Sequence, residues 1–282
     1  MKKLIATISA AVVAAAGLLT FSACGSAEVT YALSEDGNSY IVSGVSGNKR
    51  TLTEYEIPST YDDGVNGVLP VTAVGEEAFS GCSGLLSISI PDSVTRIDDW
   101  AFAYTHLTSV SIPDSVTYIG YCAFVSCTAL QEVTIPSSVT ALGPYSFAYC
   151  YSLATARVEA SIDTLYIGTF MGFASNSDTG IYTATDLEVI YLPSTLKYIH
   201  REAFSNNFLT DIYFAGDEET WRDIEIFYAT ITEDEEGETV EEIIYLTDKE
   251  KIEYFTTTGL TIHCADADLV YSDGEIQSTP VN

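Results

Sequence analysis

The chain is poor in positive charge. Its 282 residues carry 11 Lys and Arg against 40 Asp and Glu, a formal net charge of −29. Such a surface repels phosphate backbones and anionic bilayers, so nucleic acid is excluded as a partner. Histidine occurs three times, outside any HExxH or GxSxG pattern, so the usual metalloprotease and nucleophile-elbow signatures are missing. The six cysteines include no CxxC pair and no Cys/His spacing that would hold zinc. The acidic run from Glu233 lacks the DxDxDG order of a calcium loop. After residue 24 no apolar run is long enough to span a bilayer as a helix. Nothing here assigns a catalytic residue, a metal ligand or a cofactor.

What the chain does contain is apolar and periodic. Hydrophobic residues make up 47% and aromatics 12%, more than a disordered chain would carry. The stretch Leu107 to Phe124, LTSVSIPDSVTYIGYCAF, recurs as Leu85 to Phe102 and Leu130 to Phe147. Aligning on Phe79, Phe102, Phe124, Phe147 and Phe170 gives a period of 22–23 residues; a sixth copy at Phe204 is delayed by an insertion. That period lies in the range of leucine-rich repeats. A small residue precedes each Phe (Ala78, Ala101, Ala123, Ser146, Thr169, Ala203) and an aliphatic one lies five before it. Each unit ends in alternation, Ile88/Ile90, Val110/Ile112, Val133/Ile135, Ala156/Val158, Ile190/Leu192 and Ile212/Phe214, which reads as a short strand with one buried face. Pro91, Pro113, Pro136 and Pro193 then stop the strand, having no N–H for a ladder. One unit cannot hide its own Ile, Leu and Phe. Stacked units can, so the pattern predicts a right-handed, β-rich solenoid of about six rungs, its short strands joined by turns or short helical segments.

The ends are read from composition. Residues 1–23 look like a secretory signal, with Lys2 and Lys3 ahead of an alanine-rich apolar run. Phe21-Ser22-Ala23-Cys24 resembles a bacterial lipobox, with Phe21 where an aliphatic residue is usual, making Cys24 the expected lipidation site. Cleavage after Gly25-Ser26-Ala27 with release is the alternative. Residues 24–67 open with two alternating stretches around Asp36-Gly37, expected as a β-hairpin N-terminal cap over the first rung. The array is expected over 68–216, with a surface loop at 172–186. Residues 217–264 read as a C-terminal cap in which Trp221 and Ile224 fold over the last rung, with a solvated acidic excursion between Phe227 and Glu253. Residues 265–282 read as a polar tail that frays.

IPDSVTYIGYCAFVSCTAL and its neighbours resemble the BspA-like (Treponema pallidum type) class of leucine-rich repeats, and FAGDEETWRDI with TIHCADAD resembles the closing segment of bacterial members. The resemblance implies a secreted or surface-attached leucine-rich-repeat solenoid that binds proteins or mediates adhesion. The membrane then enters only through an anchor at Cys24, and the partner is an extracellular protein or glycan. An extracellular hydrolase and a passive surface scaffold are the other readings. Fold alone does not choose among them.

Within the array, alternation turns Ser87/Ser89, Ser109/Ser111, Glu132/Thr134, Thr155/Arg157, Val189/Tyr191 and Asp211/Tyr213 outward. The early half is a serine carpet. The later half carries residue types favoured at binding hot spots, so Glu132, Arg157, Tyr191, Asp211 and Tyr213 are the candidate binding residues. Cys82, Cys127 and Cys150 share one phase and read as a ladder of buried thiols, with a Cys127–Cys150 bridge geometrically possible. Cys122 and Cys264 have no evident partner. His106, His200 and His263 read as surface or loop histidines. Asp266 and Asp268 with Asp273 and Glu275 form a weak calcium candidate, with solvated acidic surface as the plainer reading.

Overall fold

The computed structural model describes residues 27–172, 186–205, 207–233, 239–247, 250, 260–272 and 275–281. The signal segment and Cys24, the insertion between Gly172 and Asp186, and residues 234–236 of the acidic run lie outside the described residues. The chain winds as a solenoid whose rungs stack in phase with the repeat.

The phenylalanines form its spine. Phe79, Phe102, Phe124, Phe147, Phe170 and Phe204 stack ring on ring, with centroids 5.3, 5.1, 5.0, 5.8 and 6.3 Å apart. All six are buried. The Phe N–H of each of the first five rungs donates to the carbonyl of the small residue in the next: Phe102 to Ala123, Phe124 to Ser146, Phe147 to Thr169. This explains the small residue before each Phe. It is fully buried in every rung, where two backbones approach too closely for a larger side chain.

The turns around this spine are unusual. Residues two before the Phe (Glu77, Trp100, Cys122, Tyr145) have φ of +53° to +57°, and those two after it (Gly81, Tyr104, Ser126, Tyr149) have φ of +58° to +74°. Left-handed backbone disfavours L side chains. Here inter-rung bonds hold it: Trp100 N–H to Tyr121, Tyr104 to Val125, Ser126 to Ala148 and Tyr149 to Met171.

Two sheets flank the spine. On one side Val68–Val74, Arg96–Ile97, Tyr118–Ile119 and Ala141–Leu142 pair in parallel. Tyr40–Ser46 adds to that sheet in parallel through Val68–Val74, and Glu28–Leu33 pairs antiparallel with it across a turn holding Gly37 at φ +72°. On the other side Glu132–Ile135, Thr155–Val158, Val189–Leu192 and Asp211–Phe214 run parallel, successive residues of each strand facing alternately out and in. The predicted strand at Ser109–Ile112 is not formed. Val110 is half-buried where its counterparts Ile88 and Val133 are buried, and the rung is held instead by Thr108 N–H to Leu86 and Gln131 N–H to Thr108.

The C-terminal segments differ from expectation. The acidic excursion begins as a further rung, since Glu225–Phe227 pairs with Tyr198–His200. It then turns antiparallel, Glu225–Glu233 against Thr239–Tyr245. The tail does not fray: Ala267–Ser272 and Glu275–Pro280 form an antiparallel meander on Thr261–His263, which itself extends the sheet from Asp211–Phe214. An open sheet edge offers unpaired N–H and C=O groups, and Ala267, Leu269 and Tyr271 supply a buried face among the acidic residues. A short helix, Glu218–Arg222, is capped by the Asp217 carboxylate and buries Trp221, whose Nε1 donates to Tyr271 Oη at 3.1 Å. Ile224 is buried beside it.

Candidate binding face

Parallel pairing puts Arg157, Tyr191, Tyr213 and His263 at equivalent positions of four adjacent strands. At strand spacing, same-phase side chains must touch or diverge. These touch. The Arg157 guanidinium lies 3.7 Å above the Tyr191 ring. Tyr191 stacks on Tyr213 at 4.7 Å, and Tyr213 on His263 at 4.4 Å. The result is an outward-facing, half-exposed stripe of one cation and three rings.

The stripe is fixed at its far end. His263 Nε2 lies 2.9 Å from Asp211 Oδ1 and its Nδ1 lies 2.8 Å from Asp268 Oδ1. Burial alone would push the imidazole pKa down, but the two carboxylates outweigh it and raise it. Asp211 is held below its usual value, first by His263 and then by the Thr210 hydroxyl.

Four of the five candidate residues therefore gather: Arg157, Tyr191 and Tyr213 stack in the column, and Asp211 beside it braces His263. Glu132 does not join them. It is exposed on the strand before Thr155, in the neighbouring phase, and three strands from Asp211. His263 was misread as an ordinary surface histidine. The Leu209-to-Ile212 interval shrinks by one residue between Leu260 and Ile262, which hides the shared phase with Tyr213.

Other expectations resolve individually. His200 is buried, not on the surface; its ring meets Phe227 edge-on at 5.2 Å, its Nδ1 accepts from Glu202 N–H, and burial lowers its pKa. His106 is exposed. Cys82, Cys127 and Cys150 are buried free thiols, with Thr105 filling the same slot in the second rung. Cys127 Sγ donates to the Phe102 carbonyl and Cys150 Sγ to that of Phe124, and burial pushes the Cys150 thiol up. Cys122 is buried in a small cluster with Ala103, Val125 and Ala148. The Cys264 thiol is pushed up to about 12 by burial and nearby carboxylates. Of the calcium candidate, Asp268 binds His263 and Asp266 accepts from Glu218 N–H, while Asp273 lies outside the described residues. No cluster of three metal-ligating side chains occurs among the described residues.

The turns also build a second aromatic feature that the spacing alone did not reveal. Trp100 meets Tyr104 at 6.3 Å and Tyr121 at 5.6 Å, and Tyr121 meets Tyr145 at 5.9 Å. Their recurrence two residues either side of the Phe, and one further before it, was the available signal.

A stack of in-phase rungs with a phenylalanine spine defines a repeat protein of the leucine-rich type. The model of the BspA type leucine rich repeat region matches residues 66–177 and 173–232 in six copies, and the chain belongs to that family. Among solved structures it is similar to a leucine-rich repeat protein of Bacteroides ovatus, at 21% identity over 67% of this chain, with a TM-score of 0.41. It spans 59% of the length of that protein. It is similar to the leucine-rich repeat protein of T. pallidum at 23% identity, over 66% of this chain and 82% of that one, with a TM-score of 0.42. A leucine-rich repeat protein of Bacteroides capillosus is 32% identical over 45% of this chain and 91% of its own, with a TM-score of 0.40. No curated protein matches the chain. A leucine-rich repeat array of this type implies protein–protein interaction in general.

Proposed function

We propose that the protein is a bacterial cell-surface or secreted binding protein that holds an extracellular protein against its exposed strand face, in an adhesive role. The observation that carries this reading is the stripe Arg157–Tyr191–Tyr213–His263. Stacked rings lose little further freedom on binding, and Tyr and Arg are the side chains that dominate binding energy at interfaces. The charge of −29 favours a basic partner and a salt-sensitive on-rate. Family membership supports a surface location, and the pattern of residues 1–24 supports export with a lipid on Cys24.

The test has two arms. Basic extracellular-matrix proteins are screened by surface plasmon resonance against the intact protein and against the double variant Tyr191→Ala/Tyr213→Ala. The reading expects binding that weakens with salt and falls at least tenfold in the double variant; equal binding by the two proteins would refute it. Mass spectrometry of the mature N-terminus checks the anchor: a diacylglyceryl adduct on Cys24 supports it, and an unmodified terminus after residue 27 overturns it.

A further inference from the structure

On the sheet opposite the stripe, one threonine position stitches successive rungs. Thr95, Thr117 and Thr140 each donate their N–H to the preceding rung's threonine carbonyl, at 2.9, 2.9 and 3.0 Å. Each Oγ1 reaches the same carbonyl at 3.3, 3.3 and 3.4 Å. The next rung places Asp163 there. A carboxylate cannot donate, and it would set an acceptor against the Thr140 carbonyl. The Asp163 carboxylate accepts instead from its neighbour Thr164 Oγ1.

The ladder stops at that point. No backbone hydrogen bond joins Thr140–Leu142 to Asp163–Leu165 among the described residues, and the sheet divides there. It resumes one rung later, where Lys197 and Tyr198 N–H both donate to the Asp163 carbonyl. Meanwhile the phenylalanine side stays closed, through Tyr145 N–H to Ile167 and Phe147 N–H to Thr169. The two rungs therefore stay joined at the spine and at Ser161, whose N–H donates to the Val139 carbonyl at 2.9 Å, and part only between Thr140–Leu142 and Asp163–Leu165. The gap is a cleft of about 300 Å³ lined by Tyr118, Leu142, Pro144, Ile162, Asp163 and Tyr166.

We propose that this cleft binds one neutral hexopyranose residue of a glycan. It lies at the small end of ligand pockets, which run about 300–1,000 Å³, so it has room for a single ring. A pyranose has an apolar C–H face and a rim of hydroxyls. The Tyr166 ring, 45% exposed, offers a flat face to the first. The Asp163 carboxylate and the strand-edge N–H and C=O groups on both walls offer partners to the second. Tyr118 is already covered by the Arg96 guanidinium, 5.4 Å from its centroid, so Tyr166 is the stacking residue. Asp163, in a chain this acidic, disfavours uronic and other anionic sugars. The site is separate from the strand-face stripe and does not depend on that assignment.

The intact protein is titrated with the methyl glycosides of glucose, galactose, mannose and N-acetylglucosamine, and with glucuronic acid, following NMR shifts and heat. At least one neutral glycoside is expected to saturate the site, with glucuronic acid binding at least tenfold more weakly. Tyr166→Ala, an exposed change that leaves folding intact, is expected to weaken binding tenfold or more. Asp163→Thr is expected to restore the threonine ladder, raise the melting temperature and abolish binding. Tyr213→Ala, on the other sheet, is expected to leave sugar binding unchanged. The proposal is overturned if no neutral glycoside binds, if glucuronic acid binds as well, or if Asp163→Thr binds like the native chain.

Discussion

Phe124→Ala tests the spine at its middle. The ring is fully buried and stacked on both faces, 5.1 Å from Phe102 and 5.0 Å from Phe147. Removing a buried Phe costs about 3–5 kcal/mol through lost transfer energy and the cavity left behind. Two lost aromatic pairs, each worth about 0.5–1.5 kcal/mol beyond burial, place this site at the upper end of that range. Phe204 is the counterpart at the end of the stack, with one ring neighbour at 6.3 Å, so Phe204→Ala should cost less. Tyr121→Ala removes a ring that is 40% exposed and meets Trp100 and Tyr145 only edge-on; about 1 kcal/mol is expected. The order is read by urea unfolding, with thermal melts in parallel, where a loss of this size lowers Tm by roughly 10 °C. Because each rung contacts only its neighbours, the central variant should also broaden the transition as the two halves uncouple. Equal midpoints for Phe124→Ala and Tyr121→Ala would refute the phase assignment.

Four smaller tests use the same rungs. Ser126 sits at φ +58° in the slot that Gly81 fills at +74°; Ser126→Gly should raise stability by up to about 1 kcal/mol in urea melts, the relief of left-handed strain exceeding the added chain entropy. The Ser146 hydroxyl is buried without a hydrogen-bond partner where the preceding rung uses Ala123, so Ser146→Ala should be stabilising by about 1 kcal/mol in the same assay. His263 has a raised pKa, so its contribution is full below its unfolded value near 6.5 and is lost as pH rises through its folded value; Asp211 has a lowered pKa, so its contribution is lost as pH falls below about 4. Hydrogen-exchange protection at Thr261–His263, taken relative to the intrinsic exchange rate at each pH, should thus be greatest between those limits, and His263→Gln should remove the alkaline limb. The thiols of Cys82, Cys127 and Cys150 should react with a thiol reagent only at the rate of unfolding, since all are buried and free; prompt reaction would contradict the ladder.

The repeat was legible because one cause repeats. Every Phe, small residue and aliphatic position serves the same contact in each rung, so its phase shows in a single chain. The C-terminal elements were not legible for a related reason. Thr261–His263 keeps the pairing but drops one residue, and the Ala267–Leu269–Tyr271 face is diluted by Asp266 and Asp268. A strand that depends on an existing sheet edge needs little apolar signal of its own. The candidate face was half legible. Alternation gave the outward direction of Arg157, Tyr191 and Tyr213, and the repeat phase, carried across the insertion, put them in one row; that their side chains stack and that His263 continues the row was not legible. At Ser109–Ile112 the same alternation was present and the ladder did not form, which marks the limit of pattern where pairing is set by neighbours.

The scarce cations explain why this face looks as it does. Arg96 lies over Tyr118, Arg157 over Tyr191 and Arg201 over Tyr228, each guanidinium resting on an aromatic ring. Lys49 donates to the Ser80 carbonyl and Arg222 pairs with Glu218. A cation on a ring joins rungs whether or not a carboxylate also holds it, as Asp98 holds Arg96 at 2.6 Å, and a planar guanidinium suits that geometry better than an ammonium. Five of the seven Lys and Arg among the described residues are thus engaged, while Asp and Glu are in excess in the chain. The stripe is therefore an island of rings and one cation in an acidic field. A ligand that fits it has to bring an apolar or aromatic centre to the rings and a basic rim to the surroundings. Raising ionic strength should weaken its capture by acting on the rim, and removing the tyrosines should weaken it by acting on the centre.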